Sequence, residues 1–138
     1  MPFERAIDAD RIRTQWLARD LNCLGVDAES IGRIRLCADI PRYDFLERRI
    51  GALYVVEGSA LGGRQLYRGL DQLLGKETTD GRRFFAGRGA ETGSAWSGFL
   101  DQLALVGAEP TERAAMVGAA VETFEIFETW LHGWKEMR

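Results

Sequence analysis

The sequence predicts an all-α fold. Three observations carry that prediction: apolar residues recur at helical spacing over several long stretches, almost no stretch alternates as a half-buried strand would, and the connections are short. Ile12, Trp16, Leu17, Leu21 and Leu24 fall on one face, with Arg11, Arg13, Arg19 and Asp20 on the other and Gly25 as a stop, so a first helix is expected over roughly residues 8–24. Asp27 to Ile40 is mixed, and Pro41 disfavours helix at the residue before it. From about Asp44 to Leu74 the chain reads as one long helix, with Leu46, Leu53, Val56, Leu66, Leu70, Leu73 and Leu74 apolar and Gly75 as its end. Thr78-Thr79-Asp80-Gly81 reads as a turn. Ser94 to Val106, with Trp96, Phe99, Leu100 and Leu103, and Pro110 to Trp134, with Met116, Val117, Val121, Phe124, Phe127 and Leu131, complete a set of four amphipathic helices. Pro110 suits a first helical turn.

Length and composition bound the function. The chain of 138 residues is expected to form a single domain, 1–138, and its longest stretch free of Asp, Glu, Lys and Arg, Thr92 to Leu100, is nine residues. A membrane-spanning helix needs about 18 or more, so no membrane span is expected. The charged N-terminal residues Glu4, Arg5 and Asp8 do not suit a secretory leader, and a cytoplasmic location is expected. Cys23 and Cys37 read as reduced core residues rather than a disulfide pair or metal ligands, and no metal site is expected. A net charge of −3 with scattered arginines argues against a nucleic-acid binder. Gly69 to Lys76 misses the phosphate-loop spacing, and Gly87, Gly89 and Gly93 miss the dinucleotide spacing.

Glycine is the exception. The sixteen glycines make up about 12 % of the chain, against a usual share of about 7 %. At about 100° per residue, Gly51, Gly58, Gly62 and Gly69 fall within roughly 40° of arc on one face of the long helix. Each helical glycine costs about 1 kcal/mol relative to alanine, so these four and Gly63 together cost on the order of 5 kcal/mol, comparable with the net stability of a domain. Two gains would offset that cost. Bare positions let a second helix approach closely, or they let a flat ligand lie against exposed backbone, with Gly62-Gly63 loosening or kinking the helix. Periodicity leaves both open.

The segment Gly51-Ala-Leu-Tyr-Val-Val-Glu-Gly-Ser-Ala-Leu-Gly-Gly-Arg resembles the distal-helix signature of bacterial heme oxygenases, particularly the biliverdin-producing enzymes that accompany bacteriophytochromes. Trp16-Leu-Ala-Arg-Asp-Leu, Leu24-Gly25, Gly81-Arg-Arg-Phe-Phe, Trp96, Phe99-Leu100, Thr123-Phe124 and Trp130-Leu131 are similar to that family in type and order, so the resemblance covers most of the chain. It implies the all-α heme oxygenase fold, in which heme is clamped between a proximal helix bearing a histidine ligand and a glycine-rich distal helix. The implied reaction is O₂-dependent cleavage of heme to biliverdin, carbon monoxide and iron, with electrons from a ferredoxin or a reductase and the product available to a bacteriophytochrome. By the same resemblance, Gly58, Gly62 and Gly63 match the distal glycines that contact heme and leave room for oxygen. Ser59 stands where mammalian members have an aspartate, and its hydroxyl would hold a water. Gly58, Ser59 and Gly62 are thus the catalytic candidates, and Tyr54 and Arg64 join Gly58, Gly62 and Gly63 as heme-binding candidates.

The resemblance also implies an absence. Family members carry the proximal histidine upstream of the region of Trp16, so the chain is expected to be N-terminally shortened; its one histidine, His132, reads as a helix-end residue favoured by the helix dipole. Cys23, Cys37, Tyr43, Tyr54 and Tyr67 read as packing residues before they read as substitute iron ligands. Arg42, Arg48, Arg49, Arg64 and Arg68 are candidates for pairing with heme propionates, or form a solvated face with Asp44, Glu47 and Asp71. Two functions follow: a heme oxygenase, or a non-catalytic module of the same fold that binds heme, another tetrapyrrole or a partner. An uncovered glycine face further predicts a homodimer.

Overall fold

The computed structural model describes residues 2–136, with side chains from 13 to 134. Arg11 and Ile12, expected on the first helix, lie outside the described side chains. Among the described residues there are seven α-helices and no strand: α1 (Pro2–Cys23), α2 (Ala28–Gly32), α3 (Leu46–Gly69), α4 (Asp71–Leu74), α5 (Arg83–Ala86), α6 (Thr92–Val106) and α7 (Pro110–Glu136), with a 3₁₀ turn at Gly89–Glu91. The all-α expectation holds, and the four expected helices are joined by three short ones. Chain contacts group into two compact units: one of residues 1–35 and 57–98, the other of residues 36–56 and 99–138.

In the first unit α1 begins at Pro2, earlier than its apolar pattern indicates. Its end follows the expected chemistry. Gly25 takes φ 94°, its N–H bonds Asn22 O at 3.0 Å, and Val26 N–H reaches Leu21 O at 3.0 Å. That pair of bonds closes a helix with a left-handed glycine. Asp27 then caps α2 by accepting Ser30 N–H at 2.7 Å, a bond that holds its carboxyl below the usual carboxylate range. Ser30 therefore serves the same carboxylate twice, through its N–H and its hydroxyl.

The expected helix over 44–74 is two helices. α3 ends at Gly69, Leu70 N–H is shared between Leu66 O and Tyr67 O, and α4 follows. Local apolar spacing runs through this break because α4 continues the same turn of side chains, so periodicity could not mark it. Gly75, at φ 91°, ends α4 as expected. Leu66 and Leu73, expected to pack, are exposed.

Buried polar side chains organise the rest of the unit. Asp20 on α1 accepts the N–H groups of Arg83 and Phe84, each at 2.8 Å, and so satisfies the first donors of α5 from a distant helix. Arg83 in turn lies 3.7 Å above the Trp16 ring. Arg82 has no exposed surface. Its guanidinium donates to Thr78 O, Tyr67 O, Asp71 Oδ1 and Gly75 O at 2.6–2.8 Å and stacks 4.0 Å over the Tyr67 ring.

The second unit is built on the first half of α3, the end of α6 and α7. Its buried apolar residues are Ile50 and Leu53 from α3 and Met116 and Ala119 from α7. Gly51 permits that packing: a Cβ there would stand 2.2 Å from Met116 O and 3.0 Å from the Ala119 Cβ. Tyr43 and Thr123 share a 2.7 Å hydrogen bond, and Arg48 pairs with Glu122. The Arg48 hydrogen bonds lower the Glu122 carboxyl and raise the Arg48 guanidinium relative to their ordinary values.

α7 is apolar on two sides. Met116 and Ala119 are buried, whereas Val117, Val121 and Phe124, roughly 140° round the helix, are exposed, as are Phe127 and Leu131. The amphipathic reading placed these exposed residues with the core. Cys23, expected in the core, is exposed, Cys37 is half-buried, and both are free thiols. No helix among the described residues is long and apolar enough to cross a membrane.

Candidate functional site

α3 keeps α-helical bonding without a break from Leu46 to Gly69, through Gly62 and Gly63. Its glycines have unlike surroundings. Gly51, in the second unit, is closed by α7. Gly58, in the first unit, faces Trp96: a Cβ would lie 3.3 Å from the indole. Gly63 faces Phe85, whose backbone oxygen would be 3.5 Å from the added atom. At Gly62 and Gly69 nothing lies within 4 Å. The expected loosening or kink at Gly62-Gly63 is not seen, since α3 stays helical through both. Gly51 serves close helix packing, and Gly62 leaves open backbone beside the exposed Leu61 and Leu66.

The residue before Gly58 carries buried charge. Glu57 is 6 % exposed and is paired with Arg13 of α1 at 3.1 Å and with Arg88 at 3.6 Å. Such a buried pair is worth more as a geometric constraint than as net stability. It ties the glycine segment of α3 to α1 and to the turn after α5. Sequence reasoning passed over Glu57 because a glutamate between apolar residues carries no local signal of its partners. Ser59 is exposed and Arg64 half-buried.

The second unit holds a cavity of about 690 Å³, lined mainly by apolar side chains of α6 and α7, among them Leu100, Leu103, Val117, Val121 and Phe124. Gly51 and Tyr54 contribute the α3 wall. Of the heme-binding candidates named from the sequence, Tyr54 alone lines this cavity. Arg113 is its one charged lining residue, and sequence reasoning did not single it out. A size of this order and an apolar lining with few polar groups are the usual properties of a small-molecule site.

Two of the five arginines proposed as propionate partners have other duties. Arg48 is paired with Glu122 and donates to Arg42 O, and Arg49 donates to Tyr43 O at 2.9 Å. Tyr67 donates to Thr78 O and lies under Arg82. His132 is exposed on α7, with Nδ1 at 3.1 Å from Glu128 O. No group of three or more His, Cys, Asp or Glu among the described residues is placed to hold a metal ion.

Among the described residues the chain is all-α, with the glycine-bearing α3 as one of its two long helical segments after α1. The chain belongs to the heme oxygenase family, whose model matches residues 2–133. Searches of curated proteins and of solved structures found no match.

Proposed function

We propose that this chain acts on heme, as one domain over 1–138, through the α3 glycine segment. The observation that carries the proposal is the open backbone at Gly62, where a Cβ would meet nothing within 4 Å, in a helix that spends glycine at a cost of about 1 kcal/mol per position. Membership of the heme oxygenase family supports heme as the ligand of that bare surface. The reaction we assign is O₂-dependent cleavage of heme to biliverdin, carbon monoxide and iron, of the bacterial type that serves bacteriophytochromes, with a ferredoxin or reductase as donor. Heme supplies the redox chemistry; the protein binds and orients it. In this reading Gly62 lets the ring approach α3, Gly58 and Gly63, which face Trp96 and Phe85, shape the surface beside it, Ser59 holds a water at the edge of the site, and Tyr54 and Arg64 contact the ligand.

Hemin, a reductant and air test the proposal. A Soret band that decays into a biliverdin spectrum is expected, and no heme-dependent spectral change overturns it. A second result is expected at Gly62. Gly62→Ala should raise stability by up to about 1 kcal/mol because the added methyl meets open space and alanine is the better helix former. The same methyl stands where the ring would lie, so hemin affinity should fall. Urea denaturation and hemin titration of the one variant read both effects, and unchanged affinity removes Gly62 from the site.

One observation favours a second reading. His132 is the one histidine of the sequence and lies exposed on α7, with Nδ1 at 3.1 Å from Glu128 O, which supports its reading as a helix-end residue rather than a proximal ligand. A non-catalytic module that binds a tetrapyrrole or a partner, as a homodimer through the glycine face, fits that. Hemin binding without turnover, with a dimer mass in sedimentation, would select it.

A further inference from the structure

The Gly58–Gly63 stretch of α3 lies wholly in the first unit, and it lacks what usually fixes one helix against another. Helices register through ridges of side chains seated in grooves, and Gly58, Gly62 and Gly63 supply no ridge. Gly58 meets the flat Trp96 indole and Gly63 the Phe85 backbone, surfaces along which a bare helix can slide or turn. Buried charge stands at both ends of the stretch. Beyond Gly63, Arg82 holds Tyr67 O and Asp71 Oδ1. Immediately before Gly58, the Glu57 carboxylate is held from two directions: Arg13 Nη2 of α1 lies 3.1 Å from Oε1, and Arg88 Nη2 lies 3.6 Å from Oε2. The Arg88 arm rests on a fixed turn, since its N–H donates to the hydroxyl of the buried Thr92 at 3.2 Å and that hydroxyl donates to Gly89 O at 2.8 Å. Two arms on the two oxygens of one carboxylate restrain the rotation of α3 as well as its axial position. Arg13 is 12 % exposed, whereas Arg88 is 42 % exposed, so only the second arm reaches the carboxylate from the solvent side.

We propose that Glu57 is a positioning residue: gripped by Arg13 and Arg88, it sets the rotation and axial position of the Gly58–Gly63 stretch, and through them the binding of a flat tetrapyrrole on the open backbone at Gly62. The proposal rests on the heme reading above and adds to it a residue that acts without touching the ligand. A role in stability alone would change how much of the protein is folded and leave the binding of the folded protein as it was. A role in position changes the affinity and the spectrum of the folded protein, because a site held loosely by its supporting residues loses its geometry first.

Glu57→Gln, Arg88→Gln and the double variant test it, each compared with wild type by hydrogen exchange of the unliganded full chain and by absorbance titration with hemin. Glu57→Gln keeps the shape of the side chain and removes the charge that both guanidinium groups share. Arg88→Gln opens one arm from the solvent side and leaves the Arg13 pair in place, so it carries the test if Glu57→Gln does not fold. Amide exchange over Gly58–Gly63 should quicken about tenfold in Glu57→Gln and about threefold in Arg88→Gln. Hemin should bind them about tenfold and about threefold more weakly, with a broadened Soret band, and the double variant should behave as Glu57→Gln alone because Arg88 acts through the carboxylate. Wild-type hemin affinity and a wild-type Soret band in folded Glu57→Gln, or in Arg88→Gln where Glu57→Gln is unfolded, overturn the proposal and leave the heme reading intact. Additive losses in the double variant also overturn it, since Arg88 would then meet the ligand directly. If wild type gives no hemin spectrum, the heme reading fails and exchange alone decides the placement of the stretch: quickened exchange supports Glu57 as its anchor, and unchanged exchange overturns it.

Discussion

Gly51→Ala is expected to lower the stability of the second unit by about 3 kcal/mol, the upper end of what an overpacked core costs. The added Cβ would stand 2.2 Å from Met116 O and 3.0 Å from the Ala119 Cβ. A flexible side chain could step aside, but a carbonyl within α7 moves only with its helix. Moving α7 would also loosen Ile50, Leu53, Met116 and Ala119, the buried apolar residues. Alanine's better helix propensity returns about 1 kcal/mol at most, so the clash wins. Urea denaturation should show the loss, and the contrast with Gly62→Ala is the informative part: the same substitution, eleven residues along one helix, should have the opposite sign. A Gly51→Ala protein as stable as wild type would mean that α3 and α7 do not pack as described.

Arg82→Met is expected to cost about 3–5 kcal/mol, the penalty for breaking a buried ion pair from one side. The guanidinium is fully buried and serves Asp71, with the carbonyls of Tyr67, Gly75 and Thr78. Methionine fills a similar volume but takes the guanidinium away from all four acceptors; Thr78 O keeps the Tyr67 hydroxyl and Tyr67 O keeps Leu70 N–H, so the loss falls mainly on Gly75 O and the Asp71 carboxylate, and each such group costs about 1–3 kcal/mol when it cannot reach water. The end of α3, the whole of α4 and the approach to α5 should loosen together, because one side chain joins them. Arg82→Lys separates charge from shape. An ammonium keeps the pairing with Asp71 but lacks the planar fork and cannot span four acceptors from one position, so most of the loss should remain. Hydrogen exchange around Leu70–Arg82 and thermal denaturation measure it; a lysine variant with wild-type stability would reduce Arg82 to a charge.

The helices were legible in the residues to the extent that they depend on near neighbours. The stop at Gly25, the end at Gly75 and the start at Pro110 each rest on conformational preferences of a few adjacent residues. The short helices were not. α5 has four residues and no side chain of its own to cap it, and its first N–H groups are satisfied by Asp20. The glycine segment was visible as a stripe, and its resemblance to heme oxygenases is matched by the family assignment over residues 2–133. The cavity and its lone arginine were not visible, since Arg113 three residues into a helix reads as an ordinary solvated charge.

A period near 3.6 and an excess of glycine are properties of neighbouring residues, so they decided the helical class and located the stripe before any fold was known. They could not say what stands opposite each glycine. That depends on which segment from elsewhere in the chain arrives there: a carbonyl of α7 at Gly51, the indole of Trp96 at Gly58, the backbone of Phe85 at Gly63 and open space at Gly62. Four glycines of one helix therefore differ in their surroundings, because what a missing side chain makes room for is set by the group that arrives there.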